Sequence, residues 1–592
     1  MTITRRSLLA SSGATLALAA VPARAAPAAD VTSALDAVAE DHLRAFPADA
    51  SELGVDTGAR AALRARLVDK SPAGQEAIIA MLRRNVGRLS ALDRAGLDSE
   101  NRLHVDVVRT AYESALRGYA FGYGDVHVGG WRNSPYVVIQ NVGAFIDISR
   151  LLEATHKLET PADADAYLSR LNAYAGQLDG ETARLRDATA KGAIPPAFLL
   201  DKAIAQLRLA RSGDPAAWAL VTTLAAKYPD RRAPAAEVAR ARILPALDRQ
   251  IVALAEQRAR AGEVAGVHRL PDGPAYYRWA LQAATTTTRT PDEIHAQGLD
   301  ELKSLQAQMD ALLRPLGYTD GTVGRRMRAL GQDKRFLFPG DDAGRAQIIA
   351  YCQSRIAAIR PHLPELFGRP VKGNVEVRRI PPAEEPGAAG AYGGAGSLDG
   401  SIPGRFWINL RDPGSIPRFT LPTLTMHEDI PGHVWQGEYA HRLPLIRTLL
   451  GFSAYQEGWA LYAEQLADEV GLYADDPSGR LGYLQAQAFR AARLVVDTGL
   501  HHKRWTREQA KSWFAEVTGQ EPGEIESEVD RYCAWPGQAC AYKIGHSEIV
   551  RLREATRARL GARYDRRAFN DAVVQAGPVP MTVLAGLVGQ LA

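Results

Sequence analysis

Cysteine is scarce in this chain, and the scarcity excludes a fold held together by disulfides. Cys352, Cys533 and Cys540 are the only three cysteines in 592 residues, which is no disulfide framework. Cys533 and Cys540 flank a Trp-Pro-Gly turn and could pair in an oxidising compartment, although two buried thiols are the favoured reading. Hydrophobic burial must therefore build the fold, and a chain of this length with 46% hydrophobic residues can bury a large core.

A dominant charge of one sign is also absent. Lysine and arginine number 71 against 67 aspartates and glutamates, and the two signs are interspersed. No basic stripe marks a phosphate-binding surface. Nucleic acid is therefore not an expected partner.

Apolar runs long enough to span a membrane are missing after the N-terminus. The first residues differ, because residues 4–9 look like a twin-arginine export sequence and an apolar run follows to about Val21. Ala23 and Ala25 form an A-x-A cleavage site before Ala26. We expect residues 1–25 to be a signal peptide and the mature protein to be periplasmic or otherwise exported. A frayed basic N-terminus without a targeting role is the alternative.

Helical periodicity fills most of the chain before residue 370. Apolar residues recur at helical spacing in residues 35–43 and 81–92, and Pro161 marks the start of a further helical region. Another helix is predicted over residues 293–313. We find no internal repeat and no linker long enough to separate independent domains, so residues 26–592 are expected to form a single large domain.

Two short alternating segments near the centre indicate strands. Residues 374–380 and 405–410 alternate apolar and polar side chains. The segment between them is crowded with glycine and alanine and holds Tyr392. We expect a small antiparallel sheet with a mobile loop, and an edge strand beside a cleft would hold an extended peptide through its backbone. A plain surface hairpin is the alternative.

Residues 122–147 form a loop rich in glycine, aromatic and polar groups, among them Trp131 and Arg132. Such a loop could line a cleft. A purely structural connection is the favoured reading.

The chain is organised around residues 426–436, where His427-Glu428 is followed by His433. In the related pattern H-E-x-x-H, histidines at i and i+4 bind zinc and the glutamate activates a water. Here the second histidine comes at i+6, which on an ideal helix turns the two rings roughly 240° apart. Pro431 and Gly432 favour a bulge or widened turn that would bring His433 back beside His427. A chance grouping of core or surface residues is the alternative.

A catalytic zinc site takes three protein ligands, so a later helix should supply the third. Glu457 opens the sequence E-G-W-A-L-Y-A-E and is the candidate. Glu464 shares its helix face and could serve instead. Either Glu464 or Asp429 could accept the second N–H of a ligand histidine. Both glutamates could instead be solvated, but Gly458 and Trp459 are poor choices for an exposed helix.

Polar groups recur in two elements near the C-terminus. Arg493, Asp497 and His501 follow one another at i, i+4 and i+8 on an otherwise apolar helix. They could fix the zinc shell, bind a substrate carboxylate or form a surface ladder of salt bridges. Further on, Tyr542 and Lys543 could stabilise an oxyanion.

Four motifs in this order make a family resemblance specific, namely H-E-D-I-P-G-H-V-W-Q, E-G-W-A-L-Y-A-E, R-L-V-V-D-T-G-L-H and P-G-Q-A-C-A-Y-K-I-G. Together they resemble the bacterial family catalogued as domain of unknown function 885. The family is similar in architecture to the mostly helical zinc peptidases of the thimet oligopeptidase, angiotensin-converting enzyme and carboxypeptidase Taq type. One departure is Val434, where many relatives carry a second histidine, and this change would alter the cleft without removing a ligand.

The resemblance implies a mainly α, two-lobed helical zinc-peptidase-like fold with a small antiparallel β element beside the active-site cleft. The N-terminal lobe would cover about residues 31–370 and the zinc-site lobe about residues 371–592.

The resemblance also implies a ligand set and a chemistry. His427, His433 and Glu457 would hold one zinc ion per chain, Glu428 would be the general base and Tyr542 the electrophilic helper. The expected function is that of a zinc metallopeptidase acting on short peptides. The alternatives are a zinc hydrolase of another amide or ester, and a non-catalytic protein that binds a metal or a peptide.

Overall fold

A computed structural model describes residues 28–382, 385, 390–396, 403–440 and 442–592, and the described chain is mainly helical, as predicted. The predicted signal peptide lies outside these residues. Within the described ranges, no helix combines the length and the apolar character needed to cross a membrane.

The helices before the sheet are α1 (Ala28–Ala45), α2 (Pro47–Glu52), α3 (Pro72–Ser90), α4 (Ser99–Tyr119), α5 (Ala144–Arg150), α6 (Pro161–Ala190), α7 (Ala197–Ala210), α8 (Ala219–Lys227), α9 (Arg232–Val238), α10 (Leu244–Arg258), α11 (Gly273–Thr285), α12 (Pro291–Leu313), α13 (Val323–Gln332), α14 (Asp342–Ile359) and α15 (Leu363–Leu366). The helices after it are α16 (Leu421–Glu428), α17 (His433–Ala440), α18 (Leu445–Leu449), α19 (Ser453–Glu469), α20 (Pro477–His501), α21 (Arg507–Thr518), α22 (Pro522–Ala534), α23 (Gln538–Leu560), α24 (Arg566–Gln575) and α25 (Met581–Val588). Short 3-10 and π segments join several of them.

Helix α6 begins at the predicted Pro161, and α12 begins at Pro291, just before its predicted start at residue 293. α6 starts at Pro161, directly after Thr160. The Thr160 hydroxyl accepts from the backbone N–H of Asp163, and the Asp163 carboxylate accepts from the backbone N–H of Thr160. α12 has the same capping box at Thr290 and Glu293. Each box satisfies N–H groups that the first helical turn leaves without a partner.

The small sheet is mixed, so the purely antiparallel expectation is wrong in part. Strands β1 (Val375–Arg379), β2 (Ala391–Gly394) and β3 (Gly404–Ile408) lie in the order β1-β3-β2. β2 pairs with β3 in antiparallel register, whereas β1 pairs with β3 in parallel register. A parallel pair needs a long crossover, and the glycine-rich segment expected to be a loop supplies it and adds β2. β2 is therefore an edge strand.

The apolar side chains of the described residues form two large buried clusters. The larger extends from Val31 to Val588, and the smaller from Val137 to Leu254. The larger cluster crosses residue 370, and the division of the chain into lobes at that point remains a prediction.

The three cysteines are buried and free, so Cys533 and Cys540 are not paired and the favoured reading is confirmed. Burial raises the pKa of the Cys352 thiol to about 12.

Helices α19 and α23 approach each other closely because two glycines face the contact. A Cβ on Gly458 would collide with the backbone of Gly545, and a Cβ on Gly545 would collide with the carbonyl of Ala454. The two glycines explain why a helix with the sequence E-G-W can be buried. They also bring the second and fourth sequence motifs together.

Candidate metal centre

The two histidines of the central motif lie on two short helices. α16 ends at Glu428 and α17 begins at His433, so the bulge within one helix that the spacing suggested does not form. The chain leaves the helix between them, and Pro431 lacks the N–H that would continue the ladder. The result is the expected one: the rings of His427 and His433 lie 4.9 Å apart, nearly perpendicular at 87°.

Two contacts hold the turn between these helices. Gly432 lies so close to the carbonyls of Met426 and His427 that any Cβ would collide with them. Trp459, in α19, donates its indole N–H to the carbonyl of Pro431 at 2.8 Å. The E-G-W motif therefore fixes the turn of the first motif.

Both imidazoles converge on the carboxylate of Glu457 in α19. Glu457 Oε2 lies 3.5 Å from His427 Nε2 and 3.6 Å from His433 Nε2. The three candidate ligand atoms all lie within 4.8 Å of one another. His427 and Glu457 are buried, while the His433 side chain keeps 20% of its surface exposed.

This donor set fits zinc. Zinc binds nitrogen and oxygen ligands at about 2.0–2.2 Å in a tetrahedron, which places neighbouring ligand atoms roughly 3.3–3.6 Å apart. Two histidines and one glutamate are a known catalytic ligand set that leaves a fourth position open. All three residues line the same cavity, so the open position would face a space that substrate can enter.

The carboxylates around His427 control its protonation. Burial lowers the pKa of His427, but hydrogen bonds to Glu457 and Glu464 and the charge of Glu428 raise it to about 9. Burial acts to raise the pKa of Glu457, yet the two imidazoles hold it well below its usual range. Three acids around two imidazoles give the site a negative charge that a divalent cation would neutralise.

A buried hydrogen-bond chain orients His427 from behind. Its Nδ1 donates to Glu464 Oε1 at 2.8 Å, and Gln487 donates to Glu464 Oε2 at 3.0 Å. Glu464 is completely buried. Of the two carboxylates considered for this role, Glu464 takes it, since Asp429 is buried but hydrogen-bonds neither histidine.

Lys543 belongs to the same hydrogen-bond chain and not to the wall of the cavity, so the oxyanion role considered for it is not supported. Its ammonium donates to Gln487 Oε1 at 2.9 Å and forms an ion pair with Glu301 at 3.1 Å. Lys543 is not among the residues that line the cavity.

The polar stripe of α20 divides into two functions. Arg493 lines the cavity, donates to the hydroxyl of Tyr532 at 3.0 Å and pairs with Glu528 at 2.9 Å. Its guanidinium lies 4.5 Å from the ring centre of Tyr542.

Asp497 and His501 do not reach the cavity and hold the backbone. Asp497 accepts from the Tyr277 hydroxyl at 2.7 Å and from the Gly537 N–H at 3.1 Å. His501 Nδ1 accepts from the Val267 N–H at 3.2 Å, so its Nε2 carries the proton and donates to the Tyr532 carbonyl at 3.1 Å. Burial raises the pKa of Asp497 to about 7.

A cavity of about 1310 Å³ opens over the cluster of His427, His433 and Glu457. Glu428 and Tyr542 line it, and the Tyr542 hydroxyl has no hydrogen-bond partner among the described residues. Burial and the charge of Glu457 raise the pKa of Tyr542. Strand β2 forms part of the wall, because Gly393 packs against the backbone of Glu428.

Sequence reasoning gave too little weight to the loop at residues 122–147, and it missed Gln487. Trp131 and Arg132 of this loop line the cavity. Gly129 and Gly130 have positive φ and lie against the backbone of Gly451 and Ala283. The glycine pair before Trp131 was the available signal for a loop clamped against other elements. Nothing in the sequence pointed to Gln487.

Comparison with known proteins confirms the family that the four motifs resemble. A protein from Colwellia psychrerythraea described as a lipoprotein is 32% identical, with a TM-score of 0.88, over 94% of this chain and 98% of its own. A protein from Shewanella oneidensis, described as a lipoprotein of unknown function, has the same fold at 17% identity and a TM-score of 0.73, over 95% of this chain and 100% of its own.

Other comparisons add nothing on function. An oligoendopeptidase F from Bacillus anthracis aligns with a TM-score of only 0.27 at 10% identity, over 87% of this chain and 92% of its own, which carries no argument. No curated protein matches the chain. The family model described as "Bacterial protein of unknown function (DUF885)" matches residues 47–588, and the chain therefore belongs to this family.

Proposed function

We propose that this protein is an exported zinc-dependent metallopeptidase that hydrolyses short peptides. One observation carries the proposal: His427 Nε2, His433 Nε2 and Glu457 Oε2 converge within 4.8 Å of one another in a large cavity that Glu428 also lines. His427, His433 and Glu457 would hold one zinc ion. Zinc bound there would supply a Lewis acid that polarises a carbonyl and makes a bound water more acidic.

Glu428 has the position of a general base. It follows the ligand His427 directly, so on the last turn of α16 its side chain points roughly 100° away from the imidazole. It is only 9% exposed and lines the cavity beside the ligands. In the reaction it takes a proton from the attacking water and passes it to the leaving amine.

Tyr542 has the position of an electrophilic helper. It lines the cavity, and its raised pKa keeps the proton on the oxygen at neutral pH. A protonated phenol donates a hydrogen bond to the oxyanion that forms on the scissile carbonyl. The charge of Glu457 contributes to the raised pKa of Tyr542.

The wall of the cavity suits a peptide. β2 is an edge strand of the sheet and could pair with an extended substrate through its backbone groups. The cavity exceeds the roughly 300–1,000 Å³ of common small-molecule pockets, so several residues fit inside it.

A digest of a broad peptide library, followed by mass spectrometry, tests this function. We expect the zinc-loaded protein to cleave a subset of peptides and Glu428→Gln to cleave them ~100-fold more slowly or worse. Gln keeps the shape of Glu but cannot accept the proton, so the variant should still bind one zinc. Zinc binding without cleavage of any library member would favour a binding protein, and cleavage of ester or non-peptide amide substrates alone would favour another hydrolase.

A further inference from the structure

We propose that Arg132 binds a carboxylate of the substrate, and that this carboxylate is the free C-terminus of the peptide. The inference rests on the proposed function and names its substrate class. The protein would then act as a carboxypeptidase.

Arg132 differs from the other arginines of the cavity because its whole side chain has no hydrogen-bond or ion-pair partner among the described residues. Arg493 and Arg531 share the carboxylate of Glu528. Arg328 donates to the carbonyls of residues 519 and 520, and Arg490 donates to the carbonyl of residue 486. Arg132 has neither an ion pair nor a hydrogen bond among the described residues, and it is an exposed residue that lines the cavity.

The side chain is nevertheless held in place. Its guanidinium lies 4.7 Å from the ring centre of Trp535 and 5.9 Å from that of Trp131. The loop beneath it is clamped where Gly129 meets Gly451, just ahead of the helix that carries Glu457. A guanidinium that lies over aromatic rings and has no polar partner is suited to a planar, bidentate carboxylate.

The charge of Arg132 indicates which group of a peptide it would bind. Arg132 lies close enough to Tyr542 and Glu457 to interact electrostatically with both. A peptide backbone is neutral, so the partner must be a terminal carboxylate or an acidic side chain. Every unmodified peptide carries a terminal carboxylate, so this is the group that we assign to Arg132.

Equilibrium binding tests the inference without relying on catalysis. Two tetrapeptide libraries, identical except for a free C-terminal carboxylate or a C-terminal amide, are presented to the zinc-loaded Glu428→Gln protein. Affinity selection with mass spectrometry measures the retained fraction. We expect the free acids to bind about 10- to 100-fold more tightly, the scale of a hydrogen-bonded charge pair.

The matched variants are Arg132→Gln and Arg328→Gln, each combined with Glu428→Gln. Arg132→Gln should remove the preference for free acids, while Arg328→Gln should keep it because Arg328 is already held by backbone carbonyls. Equal binding of the two libraries, a preference that survives Arg132→Gln, or retention of neither library would overturn the inference.

Two further arms separate the sources of the carboxylate and the two proposals. Amidated peptides with Glu in place of Gln, if preferred through Arg132, would assign the site to an acidic side chain and refute the terminal carboxylate. If the parent protein cleaves acids and amides alike while binding shows no preference, the peptidase stands and the inference fails. If an Arg132-dependent preference is found but the parent cleaves nothing, the inference stands and the peptidase fails.

Discussion

His427 and His501 are both buried histidines on helices, yet their surroundings differ, and we propose a metal-ligand role only for His427. At His501 the two ring nitrogens are satisfied by the backbone of Val267 and Tyr532, and burial lowers its pKa to about 3. At His427 one nitrogen donates to Glu464 while the other faces Glu457, and its pKa is raised to about 9. Burial alone therefore does not mark a metal ligand. The mark is one anchored nitrogen with the other directed at further ligands on an open cavity.

The largest effect should come from Glu457, the proposed third ligand. Glu457→Ala removes one of three donors and should weaken zinc binding by roughly 1,000-fold or more, about 4 kcal/mol. Glu464→Ala removes only the group that orients His427 and should cost about 10- to 100-fold. Competition with a chelator of known affinity measures both. The reverse ranking would mean that Glu464 and not Glu457 is the third ligand.

The structural histidine should affect stability and leave the metal unchanged. His501→Leu leaves the Val267 N–H and the Tyr532 carbonyl without partners and should lower the free energy of unfolding by about 2–4 kcal/mol. Urea unfolding measures the loss. Elemental analysis of the folded variant should still find the zinc content of the parent, and a loss of zinc would break the distinction between the two histidines.

The lowered pKa of His501 predicts an acid sensitivity. The neutral ring is favoured in the folded state. Its contribution to the free energy of unfolding is therefore complete above the unfolded pKa of roughly 6.5, and it is lost as pH falls toward the folded pKa of about 3. Between pH 6.5 and 4.5 the loss should reach about 2 kcal/mol. Unfolding curves of the parent and His501→Leu across this range compare the two slopes. Parallel slopes would contradict a buried neutral ring.

The smallest effect should come from Gln487, the residue farthest from His427 in the hydrogen-bond chain His427–Glu464–Gln487. Gln487→Met removes the donor to Glu464 Oε2 but leaves the bond between Glu464 and His427. We expect zinc affinity to fall less than about 10-fold, below the effect of Glu464→Ala. The same competition assay measures it. An effect as large as that of Glu457→Ala would show that zinc binding depends on the whole hydrogen-bond chain behind His427 and not mainly on the three proposed ligands.

The parts of the site that follow from local sequence could be predicted. His427 and His433 meet because Pro431 and Gly432 stop the helix, and both residue types carry that information themselves. Glu457 could be proposed because the glycine and tryptophan that follow it are poor choices for an exposed helix. In the structure, that glycine contacts the backbone of Gly545.

The parts that depend on distant contacts could not be predicted. The stripe Arg493, Asp497 and His501 looks uniform on a helix, but only its first member faces the cavity. The parallel pairing of β1 with β3 depends on a crossover that the alternation of side chains does not encode. Arg132 becomes significant only when the helix of Glu457 is placed beside its loop.

Anomalous diffraction at the zinc edge, from crystals of the zinc-loaded protein, tests the central claim most directly. The account predicts one strong peak per chain, within about 2.0–2.2 Å of His427 Nε2, His433 Nε2 and a carboxylate oxygen of Glu457. A zinc peak bound elsewhere, or none at this cluster in zinc-loaded crystals, would contradict it.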